Sequence, residues 1–374
     1  MMLSHKIEIK PNSEQIIIFE RYINFSRYIY NLGLEIWNKK YLRYTKTNDK
    51  SKLPNGRKVR DIIKKNPKKE WYKDLSPNVL DTSIEDLEQA FNMFFKNVNK
   101  HPKFKSKKSS SQSFRIYRKN NSTIRICGNK LYIPKLKTGI RLTEDLRYSG
   151  TIKTVTISKK ADKWFASFTV DTSIDCLTSK SLSCGIDLGL KSFAVIANDN
   201  EIKMFNYPSK IKALYAKRDY LNKQLSRKIK GSNKYNVTRT KLQRCYLKIS
   251  NIQNDFLHKL TKWLVDNHNI ICIEDLNIQG MLKLRTLSGK VYQSLFYHFR
   301  EILTYKSKMY NSKLVIADRW FPSTQTCSSC GYIREKYEKL SLNDRIHACP
   351  SCNVEIDRDE NAALNLRYYG LKNN

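Results

Sequence analysis

Two pairs of cysteines restrict what this chain can fold into more than any other feature. Cys327-x2-Cys330 and Cys349-x2-Cys352 are separated by eighteen residues. Two such tight knuckles bring four thiolates to one point, and four thiolates suit tetrahedral zinc with no coordination position left open. The spacing is that of a zinc ribbon, and the metal's role is structural rather than hydrolytic. Disulfides fit less well. Nine cysteines are an odd number, and the first residues, Met1-Met2-Leu3-Ser4-His5-Lys6, do not read as a signal peptide. Cys127, Cys176, Cys184, Cys245 and Cys272 stand singly and read as ordinary thiols in a reducing, cytoplasmic compartment. Asn353 follows the second knuckle where a glycine is common. Asn tolerates positive φ, so the turn is expected to survive.

Charge is the next constraint. The 374 residues carry 70 Lys+Arg against 34 Asp+Glu, a net charge of +36. Self-repulsion on that scale calls for a polyanionic partner, and nucleic acid is the obvious one. A membrane is not, because no apolar run approaches the roughly 18 residues of a spanning helix. The charge is also clustered. Residues 90–143 contain no acid but fourteen basic residues, and residues 202–254 contain one acid, Asp219, against another fourteen. Such segments suggest two tracks for phosphate backbones.

Hydrophobic periodicity divides the chain. Lys6 to Lys10 alternate like a strand; Ser13 can cap a helix in which Ile16, Phe19, Ile23, Tyr30, Leu34 and Trp37 share a face. A loop is expected over 45–60, then a helix over 81–98. From Phe114 the period changes to two, with short strands at 114–118, 123–126, 130–133, 152–158 and 164–170, a β-barrel-like set. The last half is α/β. A hairpin covers 183–189 and 193–197, with a third strand at 201–206, and two helices flank Gly231-Ser232-Asn233. Residues 269–274 are a strand buried on both faces, 291–310 a helix, 313–317 a strand and 359–368 a final helix. No internal repeat is evident.

Within that framework three scarce acids stand out. Asp187 lies in an apolar strand between Gly185 and Gly189, where a lone carboxylate would be costly. Glu274 ends the apolar strand, at the position where α/β sheets place functional groups. Asp359 opens the helix Asp359-Glu360-Asn361-Ala362-Ala363-Leu364, whose alanines allow close approach to a sheet. Each acid alone could be bland: a turn, an ion pair, a helix cap. Together they can converge on two Mg²⁺ ions, which activate water and stabilise the leaving oxygen of a phosphodiester.

Several motifs then combine: Gly185-Ile186-Asp187-Leu188-Gly189, Ile273-Glu274-Asp275-Leu276, Phe321-Pro322-Ser323-Thr324-Gln325-Thr326-Cys327 leading into the ribbon, and Asp357-Arg358-Asp359-Glu360-Asn361-Ala362-Ala363. With them the sequence closely resembles the TnpB proteins of bacterial insertion sequences, relatives of the type V CRISPR effector nucleases. The likeness covers nearly the whole chain. Upstream it rests on Phe104-Lys105-Ser106-Lys107-Lys108 with Ser113-Phe114, and more loosely on Pro11-x3-Gln15 and Arg27-Tyr28-Ile29-Tyr30-Asn31.

The resemblance implies an RNA-guided DNA endonuclease whose partners are a guide RNA and double-stranded target DNA. It implies an α/β plus β fold: an RNase H-like RuvC domain (179–374) with an inserted zinc ribbon (323–355), preceded by a β-barrel, wedge-like domain (1–11 and 112–178) carrying a helical recognition-like insertion (12–111). Carried over, Asp187, Glu274 and Asp359 are the catalytic ligands of two Mg²⁺, and Cys327, Cys330, Cys349 and Cys352 hold one structural Zn²⁺. Asp357 is the rival third acid; Asp359 is preferred because it directly precedes Glu360-Asn361-Ala362-Ala363. Two alternatives remain: a transposase-like enzyme, whose acids would run Asp, Asp, Glu, and an RNA-guided DNA-binding protein without cleavage, which would lack one of the acids.

Overall fold

In the computed structural model, residues 1–65, 69–108, 112–118, 123–173, 182–335, 337–341 and 344–374 are described. Cys176 and the expected domain boundary at 178/179 lie outside them. The chain divides into two units, Met1–Ser173 and Ile174–Asn374.

The first unit begins with β1 (Met2–Lys10), whose burial alternates along the strand. Three helices follow, α1 (Ser13–Thr47), α2 (Gly56–Lys65) and α3 (Asn78–Phe95). Then come β2 (Gln112–Tyr117), β3 (Arg125–Cys127), β4 (Lys130–Tyr132), β5 (Ile140–Leu142), β6 (Thr151–Lys160) and β7 (Lys163–Asp171). The strands form one sheet in the order β2-β6-β7-β1-β5-β4-β3. Every pairing in it is antiparallel. Among the described residues its edge strands β2 and β3 do not pair, so the sheet is an open half-barrel rather than the expected barrel. The helices supply what closure would have buried: Phe19 packs at 5.2 Å from Trp164 and Tyr22 stacks at 4.9 Å on Phe114. Helices and sheet therefore share one core.

Three local expectations need correction. Asn12, not Ser13, caps α1: its side chain accepts from Gln15 N at 2.8 Å while Gln15 Oε1 accepts from Asn12 N at 3.0 Å, a reciprocal capping box. The loop expected over 45–60 is largely helical. Helix α1 runs on to Thr47, and α2 is started by Asn55, whose side chain accepts from Lys58 N, and by Glu88, which accepts from Gly56 N. Val59 and Ile63 are the only apolar side chains that α2 buries, too few to announce a helix by period. The short strand β5 adds a pairing where the period predicts no strand.

The second unit holds β8 (Leu182–Leu188), β9 (Ala194–Ala197), β10 (Ile202–Phe205), α4 (Lys210–Ser226), α5 (Asn233–Asn267), β11 (His268–Glu274), α6 (Ile278–Lys283), α7 (Ser288–Ser294), α8 (Phe296–Met309), β12 (Lys313–Ala317), β13 (Ile346–Ala348), β14 (Glu355–Asp357) and α9 (Arg358–Lys372). Its main sheet has the order β10-β9-β8-β11-β12. The first three strands are antiparallel, whereas β8, β11 and β12 run parallel. Strands β13 and β14 form a separate hairpin. Residues 291–310, expected as one helix, break at Leu295, whose φ is +58°. The carbonyls exposed there are satisfied by Gln253, on Gln293 O, and by the Tyr207 hydroxyl, on Ser294 O. No helix among the described residues is long and apolar enough to cross a membrane.

Where α8 packs on α5, Lys306 is buried, its Nζ donating to His258 O at 2.6 Å and Thr261 Oγ1 at 3.0 Å. Burial, with Lys262 nearby, brings its ammonium down to about 8. The folded state thus holds this proton less tightly than the unfolded chain. The charge costs stability at all pH below about 8, and the cost fades between pH 8 and the ordinary lysine value. Lys306→Met is expected to stabilise the protein by about 1–2 kcal/mol at pH 7, after the lost hydrogen bonds are deducted. The gain should shrink by pH 10. Calorimetric melting at both pH values checks it.

Candidate active site and cysteine cluster

The parallel strands of the second unit set the site. Registers Cys272↔Gly185 and Ile273↔Ile186, continued by one residue, put Glu274 level with Asp187 at the C-terminal edge of the sheet. Alternation then decides which way they face. Cys184, Ile186, Ile271 and Ile273 join the core formed with α5 and α8. Cys272 and Val315 instead pack on Leu366 of α9. Asp187 and Glu274, two residues beyond Gly185 and Cys272, share that second face.

Helix α9 lies unusually close to it. A Cβ on Gly185 would overlap the Ala363 carbonyl oxygen and the Arg367 amide nitrogen, with Arg367 Cα at 2.9 Å; one on Gly370 would meet Cys272 Cβ at 2.7 Å. Ala362 and Ala363 are fully buried. Glycine on one side and alanine on the other bring the first turn of α9 against the sheet edge, and that turn carries Asp359. Asp357 serves differently. Its Oδ1 accepts from the amides of Asp359 (2.9 Å) and Glu360 (3.3 Å), capping α9. Asp359 is paired with Arg358 at 3.3 Å and lies 4.0 Å from Arg345.

The electrostatics tie the acids together. Asp187 is 8% exposed. Burial first, then the charges of Glu274 and Asp359, push its carboxyl up to about 8, with Arg358 pulling against them. Burial and the adjacent Asp275 also raise Glu274. A carboxylate raised that far is mostly protonated at neutral pH unless a cation compensates it, so the donor set fits divalent metal. The three carboxylates are loosely gathered. Among the described residues, only the four cysteines bring their ligand atoms all within 4.8 Å of one another.

In that cysteine cluster Cys327 and Cys352 Sγ are 3.7 Å apart, and Cys330 and Cys349 Sγ are 3.6 Å apart. Tetrahedral Zn–S bonds of about 2.3 Å place sulfurs roughly 3.8 Å apart, whereas a disulfide is about 2.05 Å. The geometry is that of a metal-ligand set. Gly331 (φ +77°) and Asn353 (φ +58°) occupy equivalent left-handed positions after the two knuckles, so Asn does serve where glycine would. Burial opposes ionisation of Cys349, yet the Cys352 and Ser351 amides and its neighbouring thiols bring it down to about 7. The cluster is anchored to α9: Asn361 accepts from Ser328 N at 2.9 Å and donates to Thr326 O at 2.7 Å.

One element of the site escaped the sequence reading. Asp275, next to Glu274, receives Arg300 of α8 at 2.7 Å and Arg319, just past β12, at 2.6 Å. Three acids in a basic chain drew attention, but which arginines meet a fourth is decided by tertiary packing. The second basic segment forms the α4–α5 hairpin, where all of its lysines and arginines except Arg218 and Lys228 are exposed. A cleft of about 470 Å³ there is lined by Lys217, Lys241, Arg244 and Lys248.

Comparisons with known proteins converge. Residues 170–285 match the family OrfB_IS605, described as "Probable transposase"; 296–366 match the Cas12f1-like TNB domain. Residues 1–46 match the helix-turn-helix domain of the same OrfB family, although here they form β1 and most of one unbroken helix. A Streptomyces pristinaespiralis protein named "Putative RNA-guided DNA endonuclease" is 30% identical over 98% of this chain and 89% of its own length. An Escherichia coli K12 protein with the same description, InsQ, is 26% identical over 96% of this chain and 90% of its own. Among solved structures, a Cas12f1–sgRNA–target DNA complex aligns with a TM-score of 0.60 at 15% identity, covering 95% of this chain and 83% of the other. That likeness is one of fold.

Proposed function

We propose a function from one premise: the chain belongs to the TnpB family, the OrfB proteins of IS605-type insertion sequences. Its relatives are named as RNA-guided DNA endonucleases, and this protein is read as one. The second unit is an RNase H-like RuvC nuclease domain, and the cysteine cluster is a zinc ribbon within it. The half-barrel is the wedge-like domain, with the helices as its recognition-like part.

The observation that supports the reading is that Asp187 and Glu274 stand level at one sheet edge, with the charges of Glu274 and of Asp359, in α9, both acting on Asp187. These three residues would hold two Mg²⁺, and Asp359 is chosen over Asp357 because the Asp357 carboxylate is occupied in capping. Bound there, the metals supply a lowered pKa for the attacking water and charge for the leaving oxygen. The protein's part is to bury Asp187 beside Glu274, to orient Asp359 through Arg358, and to hold nucleic acid on its basic surfaces. Base pairing with the RNA supplies sequence specificity. The test is to express the protein with its native flanking DNA, sequence the RNA that co-purifies, and assay Mg²⁺-dependent cutting of DNA matching it. Recovery of no defined RNA, or no matched cutting, overturns the proposal.

Two further outcomes are expected. Replacing Lys217, Lys241 and Lys248 by Ala should weaken RNA binding and lower the log K against log salt slope by about one for each phosphate no longer neutralised; an unchanged slope removes the cleft from the RNA path. Stripping zinc with a chelator should lower the melting temperature of the second unit and reduce cutting, because Asn361 links the ribbon to the helix bearing Asp359. An unchanged melting curve counts against the ribbon.

A further inference from the structure

Trp320 is 86% exposed, an extreme for the largest apolar side chain. Its backbone is nonetheless firmly placed. Its amide donates to Asp318 Oδ1 at 2.8 Å and the Phe321 amide to Asp318 O at 3.0 Å, while the Asp318 amide donates to the Tyr369 hydroxyl at 3.3 Å. On one side Phe321 turns inward onto Tyr369, ring centroids 4.7 Å apart. On the other side Arg319 reaches Asp275 at 2.6 Å. Trp320 is the one aromatic ring of this loop turned outward, between exposed Arg319 and inward Phe321, on backbone pinned both before and after it.

Its place in the fold is specific. Ala317 pairs with Glu274 across β12 and β11, so Trp320 stands three residues beyond the level of the acids, at the edge where they open. Arg319 and Arg300 flank the adjoining Asp275. An outward aromatic face beside arginines matches a nucleotide: a base for the ring and phosphates for the guanidinium groups. The internal pairs of a duplex offer no free base face, whereas every base of an unpaired strand does, so an unpaired strand is the occupant that fits.

Resting on the RuvC reading above, we propose that Trp320 is a stacking platform that holds an unpaired nucleotide of the DNA strand being cut at the mouth of the Asp187–Glu274–Asp359 site. Stacking fixes the strand's path into the acids. It adds little to overall target affinity, which the RNA–DNA pairing dominates.

RNA-loaded wild type, Trp320→Ala and Trp320→Phe are compared on matched target DNA. Trp320→Ala should slow cutting by about 10–100-fold, the range of base–aromatic stacking. Target affinity, measured in an Asp187→Ala background, should stay within about 2-fold, and Trp320→Phe should keep most of the rate because it retains a ring face. Adding target DNA to Asp187→Ala should quench tryptophan fluorescence, and the Asp187→Ala/Trp320→Ala pair should lose that component. The platform is overturned by wild-type cutting in Trp320→Ala, by absence of the quench, or by equal losses in Ala and Phe with a lowered melting temperature. It is also overturned if Trp320→Ala changes only the oligomeric state, which would make the patch a contact between copies. If Asp187→Ala still cuts, the RuvC reading itself fails and takes the platform with it; if Asp187→Ala is dead and Trp320→Ala is normal, the platform alone fails.

Discussion

Asp187→Ala is expected to abolish DNA cutting, by at least about 10³-fold, while RNA loading and target binding stay near wild type. The size follows from the position. Asp187 is the most buried of the three acids, and both others act on it. On the proposed reading, removing it takes away the central ligand and leaves no side chain on that face of the strand to replace it, since Gly185 and Gly189 flank it. Asp187→Asn adds a second readout that a merely structural role would not give. Asp187, raised to about 8, must take up a proton on folding at pH 7, a cost that neutral Asn avoids, so the metal-free variant should melt higher than wild type. Mg²⁺ should raise the melting temperature of the wild type but not that of Asp187→Asn. A variant that cuts at the wild-type rate sinks the site assignment; one that is dead but still stabilised by Mg²⁺ as wild type moves the metal elsewhere.

The candidate site is partly legible in the sequence, for physical reasons that differ by residue. Asp187 and Glu274 announced themselves because an acid in an apolar strand is expensive and therefore conspicuous. The cysteines did so because two-residue knuckle spacing has few other uses. Strand β12 (Lys313–Ala317) and the end of β11 follow from short apolar runs bounded by polar residues. The missed features share a different cause. Helix α2 buries only two apolar residues and owes its start to Glu88, thirty-two positions away. The break at Leu295 has no Gly or Pro to mark it and is stabilised by Gln253 and Tyr207 from distant segments. The half-barrel stays open because α1 and α3 cover it, which alternation within strands cannot reveal. The Asp275–Arg300–Arg319 group likewise exists only once β11, α8 and β12 are assembled.

Gly185→Ala is expected to be among the most damaging single-methyl changes in the chain. The added Cβ has no flexible side chain to push aside: its nearest neighbours are the Ala363 carbonyl, the Arg367 amide and Arg367 Cα, all backbone of α9. Either β8 or α9 must move, and overpacking of this kind costs about 1–3 kcal/mol or more. The clash is centred on Ala363, one turn after Asp359, and Asn361 between them is bonded to the cysteine cluster, so a shift of the helix there strains the turn that carries Asp359. Cutting should therefore fall further than stability does, because a shift of about 1 Å in a ligand can cost 10²-fold. Gly289→Ala is the matched control. Gly289 lies in α7, where an added methyl would have nothing within 4 Å, and alanine there should be neutral or stabilise by up to about 1 kcal/mol. Melting temperature and cutting rate measured on both variants separate the two effects. If Gly185→Ala melts and cuts like Gly289→Ala, then α9 does not sit against β8 as closely as the position of Asp359 demands.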